Sequence, residues 1–204
     1  MPIEFFLPVL DNRRNAATES ERTMIGIAVI TVLEVASLAI WLTFVDRGRA
    51  IVGIVVLAVG LTVEHLLSYN VVNRRGLLQL AALPVAKKAV VSLIETGIWA
   101  LWLTLAGLNL FPQASVNAVL AAVVLAILLV VEHTLSDNVF KDKGLFSGLA
   151  DGRTIGFSII EAIGAAIWLA LVQDDLAVVG IGVLTVGAFI EHTMAVALGR
   201  KRTS

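Results

Sequence analysis

Six stretches of this chain, about 24–45, 51–72, 88–106, 116–139, 154–172 and 176–198, are each apolar for roughly the 20 residues that one bilayer crossing needs. That feature constrains the fold more than any other. In hydrocarbon every backbone N–H and C=O must be satisfied within the segment, so such stretches are read as helices. Composition agrees: 58% of the 204 residues are hydrophobic and only 15% charged, where a soluble domain is nearer a quarter charged. Mean hydropathy is +0.93. The solvent for most of this surface is expected to be lipid.

The loops set the orientation. Basic residues collect in cytoplasmic segments. Here Arg13, Arg14 and Arg22 precede the first stretch, and Arg74, Arg75, Lys87 and Lys88 follow the second. Lys141, Lys143 and Arg153 follow the fourth, and Arg200, Lys201 and Arg202 end the chain. The other three connections hold only Arg47 and Arg49, thirteen basic residues against two. This predicts a multi-pass cell-membrane protein with both termini cytoplasmic. The short segment Ile3–Leu7 carries Glu4 and ends at Pro8, so it is expected in the headgroup region rather than as a signal peptide.

The fold class follows: an all-α integral membrane protein of six transmembrane helices. Short outer connections (46–49, 107–115 and 173–175) make them three tandem helical hairpins. The expected divisions are a cytoplasmic or interfacial arm at 1–22, repeat 1 at 23–75, a cytoplasmic interfacial connection at 76–86 and repeat 2 at 87–140. A loop at 141–153, repeat 3 at 154–199 and a basic tail at 200–204 complete the chain.

The hairpins are copies of one another. Repeats are the first thing to seek in a sequence, and the first helix of each hairpin carries Thr/Ser-x-x-Glu with Trp seven residues after the acid. The copies are Thr31, Glu34, Trp41; Ser92, Glu95, Trp102; and Ser158, Glu161, Trp168. Each second helix carries an adjacent pair: Glu64-His65, Glu132-His133 and Glu191-His192. The first two pairs run on into Ser68-Tyr69-Asn70 and Ser136-Asp137-Asn138, and the third into Ala195-Val196-Ala197. Three hairpins of one orientation predict a pseudo-threefold axis along the membrane normal, with shared sites between repeats.

Depth can be counted at about 1.5 Å per residue. Odd helices run outward and even helices inward, so all six acids fall roughly 10–16 Å below the cytoplasmic boundary. Each buried charge costs at least ~2.5–3.5 kcal/mol on insertion scales. Six therefore cost about 15–21 kcal/mol, which matches or exceeds the stability of a typical fold. No Lys or Arg lies deep in any stretch to offset this. Protonation, hydrogen bonding to histidine or bound cations must do so.

Bound cations are the reading these residues favour, with Glu34, Glu64, His65, Glu95, Glu132, His133, Glu161, Glu191 and His192 as ligands. With no cysteine, only oxygen and nitrogen are on offer, a set that suits iron, manganese or zinc. Two or three divalent ions per chain, with bridging carboxylates, fit the ligand number. The Glu-x-x-His spacing of four-helix di-iron proteins is absent. Adjacent Glu and His point about 100° apart, so each pair is expected to serve two neighbouring ions.

Thr31, Ser92, Ser158, Ser68 and Ser136 lie one turn to the cytoplasmic side of the acids. Tyr69 and Asp137, four residues after a histidine, are candidates to orient it. Trp41, Trp102 and Trp168 lie two turns to the outer side. They form either an interfacial belt or, if they share the acids' inward face, the wall of a substrate chamber. Gly60, Gly97, Gly164, Gly182 and Gly187 are expected where helices pack closely.

The expected function is a membrane metalloenzyme or redox protein, a metal-dependent oxidoreductase or hydrolase. Its substrate would be lipid-soluble: a lipid, quinone or isoprenoid. Nothing in the sequence assigns a catalytic residue. The alternative is a divalent-cation or proton transporter, which the nearly apolar outer halves disfavour. A third reading makes each Glu–His pair a structural staple within a larger complex or oligomer. Nucleic-acid binding is not expected, because topology already accounts for the basic residues.

Overall fold

The computed structural model describes residues 7–72, 85–107, 114–140 and 152–201. They form six helices, with no strand among the described residues. In order these are α1 (Leu7–Asp46), α2 (Ala50–Val72), α3 (Val85–Gly107), α4 (Ala114–Phe140), α5 (Gly152–Gln173) and α6 (Ala177–Lys201). Five carry segments long and apolar enough to cross a membrane: Thr18–Asp46, Ala50–Val72, Ala89–Ala106, Gly152–Gln173 and Ala177–Ala197. In α4 the described apolar stretch is shorter, Val119–Leu135, within a helix of 27 residues.

The first helix, α1, is continuous from Leu7 through 40 residues. At 1.5 Å per residue that is about 60 Å, twice the hydrocarbon thickness. Pro8 sits in the first turn, where its missing N–H breaks no helical bond.

Consecutive helices pack on one another, and α6 returns to α1, closing a ring. Their outward faces are apolar. On α5, Ile155, Ile159, Ile163 and Ile167 recur every fourth residue and are all exposed, while Ser158, Glu161, Ala165 and Trp168 are buried. This inverts the pattern of a soluble helix and fits a lipid exterior around a partly polar interior.

Hairpins 1 and 3 close with the same turn. Gly48 (φ 70°) and Asp175 (φ 60°) occupy the left-handed region, each fourteen residues after its glutamate. The following amides reach back in the same way, Arg49 N–H to Phe44 O at 2.8 Å and Leu176 N–H to Leu171 O at 2.7 Å. Both helices thus end in a left-handed C-terminal cap. Aspartate is one of the few L residues that enter that region readily.

Of the glycines expected at close contacts, three are there. A Cβ on Gly60 would run into the Ser37 side chain, and Gly187 faces the Gly164 backbone at 3.6 Å. Gly97 and Gly182 instead face open space; both lie on outward faces, where no helix approaches. Gly53 and Gly180, not anticipated, lie against the indoles of Trp41 and Trp168.

Candidate metal centre

The inward helix faces bring the repeated acids together. Glu34, Glu64, Glu95, Glu132 and Glu161 are all buried, each at 7% exposure or less, and Glu191 is half-buried. The spacing that places Ser, Glu and Trp on one stripe of each odd helix turns all three inward at once.

Each histidine lies between its own glutamate and that of the next hairpin. His65 Nδ1 is 3.1 Å from Glu64 and 3.5 Å from Glu95. His133 Nε2 is 3.4 Å from both Glu132 and Glu161. His192 Nε2 is 3.5 Å from Glu191 and 3.6 Å from Glu34, and also 3.4 Å from Glu64. The acids around each histidine thus come from two neighbouring hairpins.

The hydroxyls follow the same rule. Ser92 Oγ is 3.3 Å from His65 Nδ1, Ser158 Oγ is 2.9 Å from His133 Nδ1, and Thr31 Oγ1 is 3.0 Å from His192 Nδ1. At His133 the partners fix the tautomer. Ser158 donates its one hydroxyl proton to Thr154 O at 2.9 Å, so it can only accept from His133 Nδ1–H. A neutral His133 then turns a bare Nε2 lone pair toward two carboxylate oxygens. Lone pairs so arranged repel unless a cation, a proton or a metal, lies between them.

Among the described residues, two groups have geometry able to hold a metal ion, with the ligand atoms of each within 4.8 Å of one another: His65, Glu95 and Glu132, and Glu34, Glu95 and Glu161. Glu34 Oε2 and Glu95 Oε2 are buried and accept no hydrogen bond among the described residues. A buried carboxylate oxygen left so carries a desolvation cost of several kcal/mol, which a cation would remove.

Beyond the acids, toward the α1–α2 and α5–α6 turns, lies a packed apolar core that includes Leu38, Leu57, Leu61, Leu125 and Leu129. Trp41, Trp102 and Trp168 belong to it and are essentially inaccessible, so they face inward with the acids rather than outward as a belt. Trp102 Nε1 donates to Ala121 O at 3.0 Å. Trp99, also fully buried, was not singled out from the sequence. It lies four residues after Glu95, hence on the same face, and donates to Glu95 Oε1 at 3.4 Å. A cleft of about 380 Å³ borders Trp41, with Leu42, Val45, Ile54 and Leu103 around it and Asp46 also lining it.

The threonine hydroxyls described in this half bond within their own helices. Thr62, Thr96, Thr104 and Thr185 each bond the carbonyl four residues back in their own helix. On the other side of the acids, Asn70 and Asn138 are buried, while Ser68 and Tyr69 are half-buried. The side chains of Ser136 and Asp137 lie outside the described residues.

No protein-family model, curated protein or solved structure matches this chain.

Proposed function

We propose that this is a multi-pass membrane metalloprotein with a resident Glu/His centre. The observation that carries this reading is the pair of triads, His65/Glu95/Glu132 and Glu34/Glu95/Glu161, with every glutamate buried and His65 half-buried, in spans that hold no lysine or arginine at that depth. In this reading α4 is the sixth span, both termini are cytoplasmic, and the three hairpins share a pseudo-threefold axis. The cyclic His–Ser/Thr contacts between successive hairpins support such an axis, as does the common turn of hairpins 1 and 3.

A resident ion is favoured over a transported one because the apolar core closes one side of the site. Oxygen and imidazole ligands without sulfur suit iron, manganese or zinc, acting as redox centre, Lewis acid or source of bound hydroxide. The protein then works as an oxidoreductase or hydrolase on a lipid-soluble substrate. The cleft beside Trp41 is an apolar place for such a molecule within two helical turns of Glu34.

Elemental analysis of protein purified without chelator tests the reading. At least one iron, manganese or zinc ion per chain is expected, and less than one overturns it. Metal uptake into proteoliposomes that vanishes with Glu34→Ala and Glu95→Ala would replace the enzyme by a transporter.

A further inference from the structure

We propose that the centre is dinuclear and that Glu95 is its bridging carboxylate; this rests on the metal reading above. The two triads are not separate. They share one residue, Glu95, and no other. A carboxylate has two oxygens and accepts from two directions, so one side chain can ligate an ion in each triad. Paired catalytic ions typically stand about 3.5–4 Å apart, and inside each triad the ligand atoms lie within 4.8 Å of one another around the shared Glu95.

The three odd-helix glutamates hold equivalent places in the sequence repeat, yet one is set apart. Four residues after Glu95 comes Trp99, whose indole N–H donates to Glu95 Oε1. At the same register the other hairpins have Leu38 and Ala165, which have nothing to donate. Trp99 is itself held. Its ring meets Trp102 edge-on at 5.7 Å and 81°, and Trp102 is tied to α4 through Ala121 O.

The carboxylate is therefore oriented through Oε1 while Oε2 stays buried and accepts no hydrogen bond among the described residues, 3.5 Å from His65 Nδ1. The other buried carboxylate oxygen that accepts no hydrogen bond among the described residues, Glu34 Oε2, belongs to the other triad. Each of the two sites thus holds buried acceptor capacity, and the residue they share is the one with a dedicated positioning group. The sites also differ in kind: one has an imidazole and two carboxylates, the other three carboxylates.

Titration of chelator-stripped full-length protein with Mn²⁺, followed by electron paramagnetic resonance, tests this. Two ions per chain are expected, with the six-line signal of an isolated ion broadened away by exchange coupling. Glu95→Gln should weaken both sites by more than ~10-fold, the lower end of what losing even an outer partner costs. Glu132→Gln should leave one ion with a six-line signal, which keeps the test open if Glu95→Gln fails to fold. Trp99→Phe should keep two ions but change the coupled spectrum; an unchanged spectrum removes Trp99 from the proposal. One ion per chain, two uncoupled ions, or loss of only one ion in Glu95→Gln overturns the bridge and leaves the metal reading standing. No ion at all overturns both.

Discussion

At the scale of single residues the hydroxyls decide how the imidazoles present themselves. For His133 and His192 the hydroxyl takes Nδ1 and leaves Nε2 toward the carboxylates. The His65 ring is turned so that Nδ1 meets Ser92, both acids and Leu61 O. Ser92→Ala removes the oxygen beside His65 Nδ1, the one imidazole in either triad, so metal affinity should fall about 10–100-fold, the usual effect of deleting a histidine's orienting partner; isothermal titration measures this. Because a metal must displace any protons these ligands carry, affinity should also fall on acidification, about tenfold per pH unit for each proton displaced. The same titration at two pH values checks it, and a pH-independent affinity would argue against carboxylate ligation. The tryptophans separate in the same way. Trp102→Phe breaks a hydrogen bond and leaves Ala121 O without it, whereas Trp41 Nε1 has no partner among the described residues to lose. Trp102→Phe should therefore be more destabilising than Trp41→Phe by about 1 kcal/mol, read from unfolding of the two variants in the same mixed micelles.

At the scale of helix pairs, hairpins 1 and 3 are drawn together by small residues at one register: Gly60 on Ser37 and Gly187 on Gly164. Hairpin 2 carries Leu128 and Ile98 at those places, so its helices must pack without that close approach. Gly187→Leu should force α6 off α5 and cost about 1–3 kcal/mol or more, as overpacking does. Gly182→Ala, facing open space, should be neutral or stabilising by up to about 1 kcal/mol; micellar unfolding distinguishes the two. The contrast shows what was legible in advance. Helix rise fixes depth, so the common level of the acids follows from counting residues, and the i, i+7 spacing puts Trp41, Trp102 and Trp168 on the acids' face. Which neighbour each histidine meets does not follow, because an adjacent Glu-His pair points two ways and the ring of helices selects between them. Gly97 and Gly182 failed as packing sites for a related reason: a glycine's value depends on which face the partner approaches. Trp99 was readable from its i+4 relation to Glu95, but its lack of a counterpart in the other hairpins hid it from a search for repeats.

At the scale of the whole molecule the polar and apolar halves predict one-sided access. The buried asparagines and the serine and threonine partners of the histidines lie toward one end of the bundle, and the tryptophan–leucine core fills the other. An ion leaving through that core would be stripped of its ligands in a medium where desolvating even a singly charged ion costs on the order of 20 kcal/mol. It should leave only toward the opposite end, which the proposed topology puts in the cytoplasm. The absence of cysteine makes the test clean. Arg47→Cys and Asp174→Cys, in the two described turns, should react with an impermeant thiol reagent on intact cells. Arg153→Cys, exposed at the start of α5, should react only after permeabilisation. The same labels sort reconstituted proteoliposomes by orientation. An impermeant chelator added outside should then remove metal from molecules with the Arg153 end outward and spare the rest for as long as the membrane stays sealed. Equal loss from both orientations would mean that ions cross the apolar half, and the site would then be a way-station in transport rather than the seat of a resident centre.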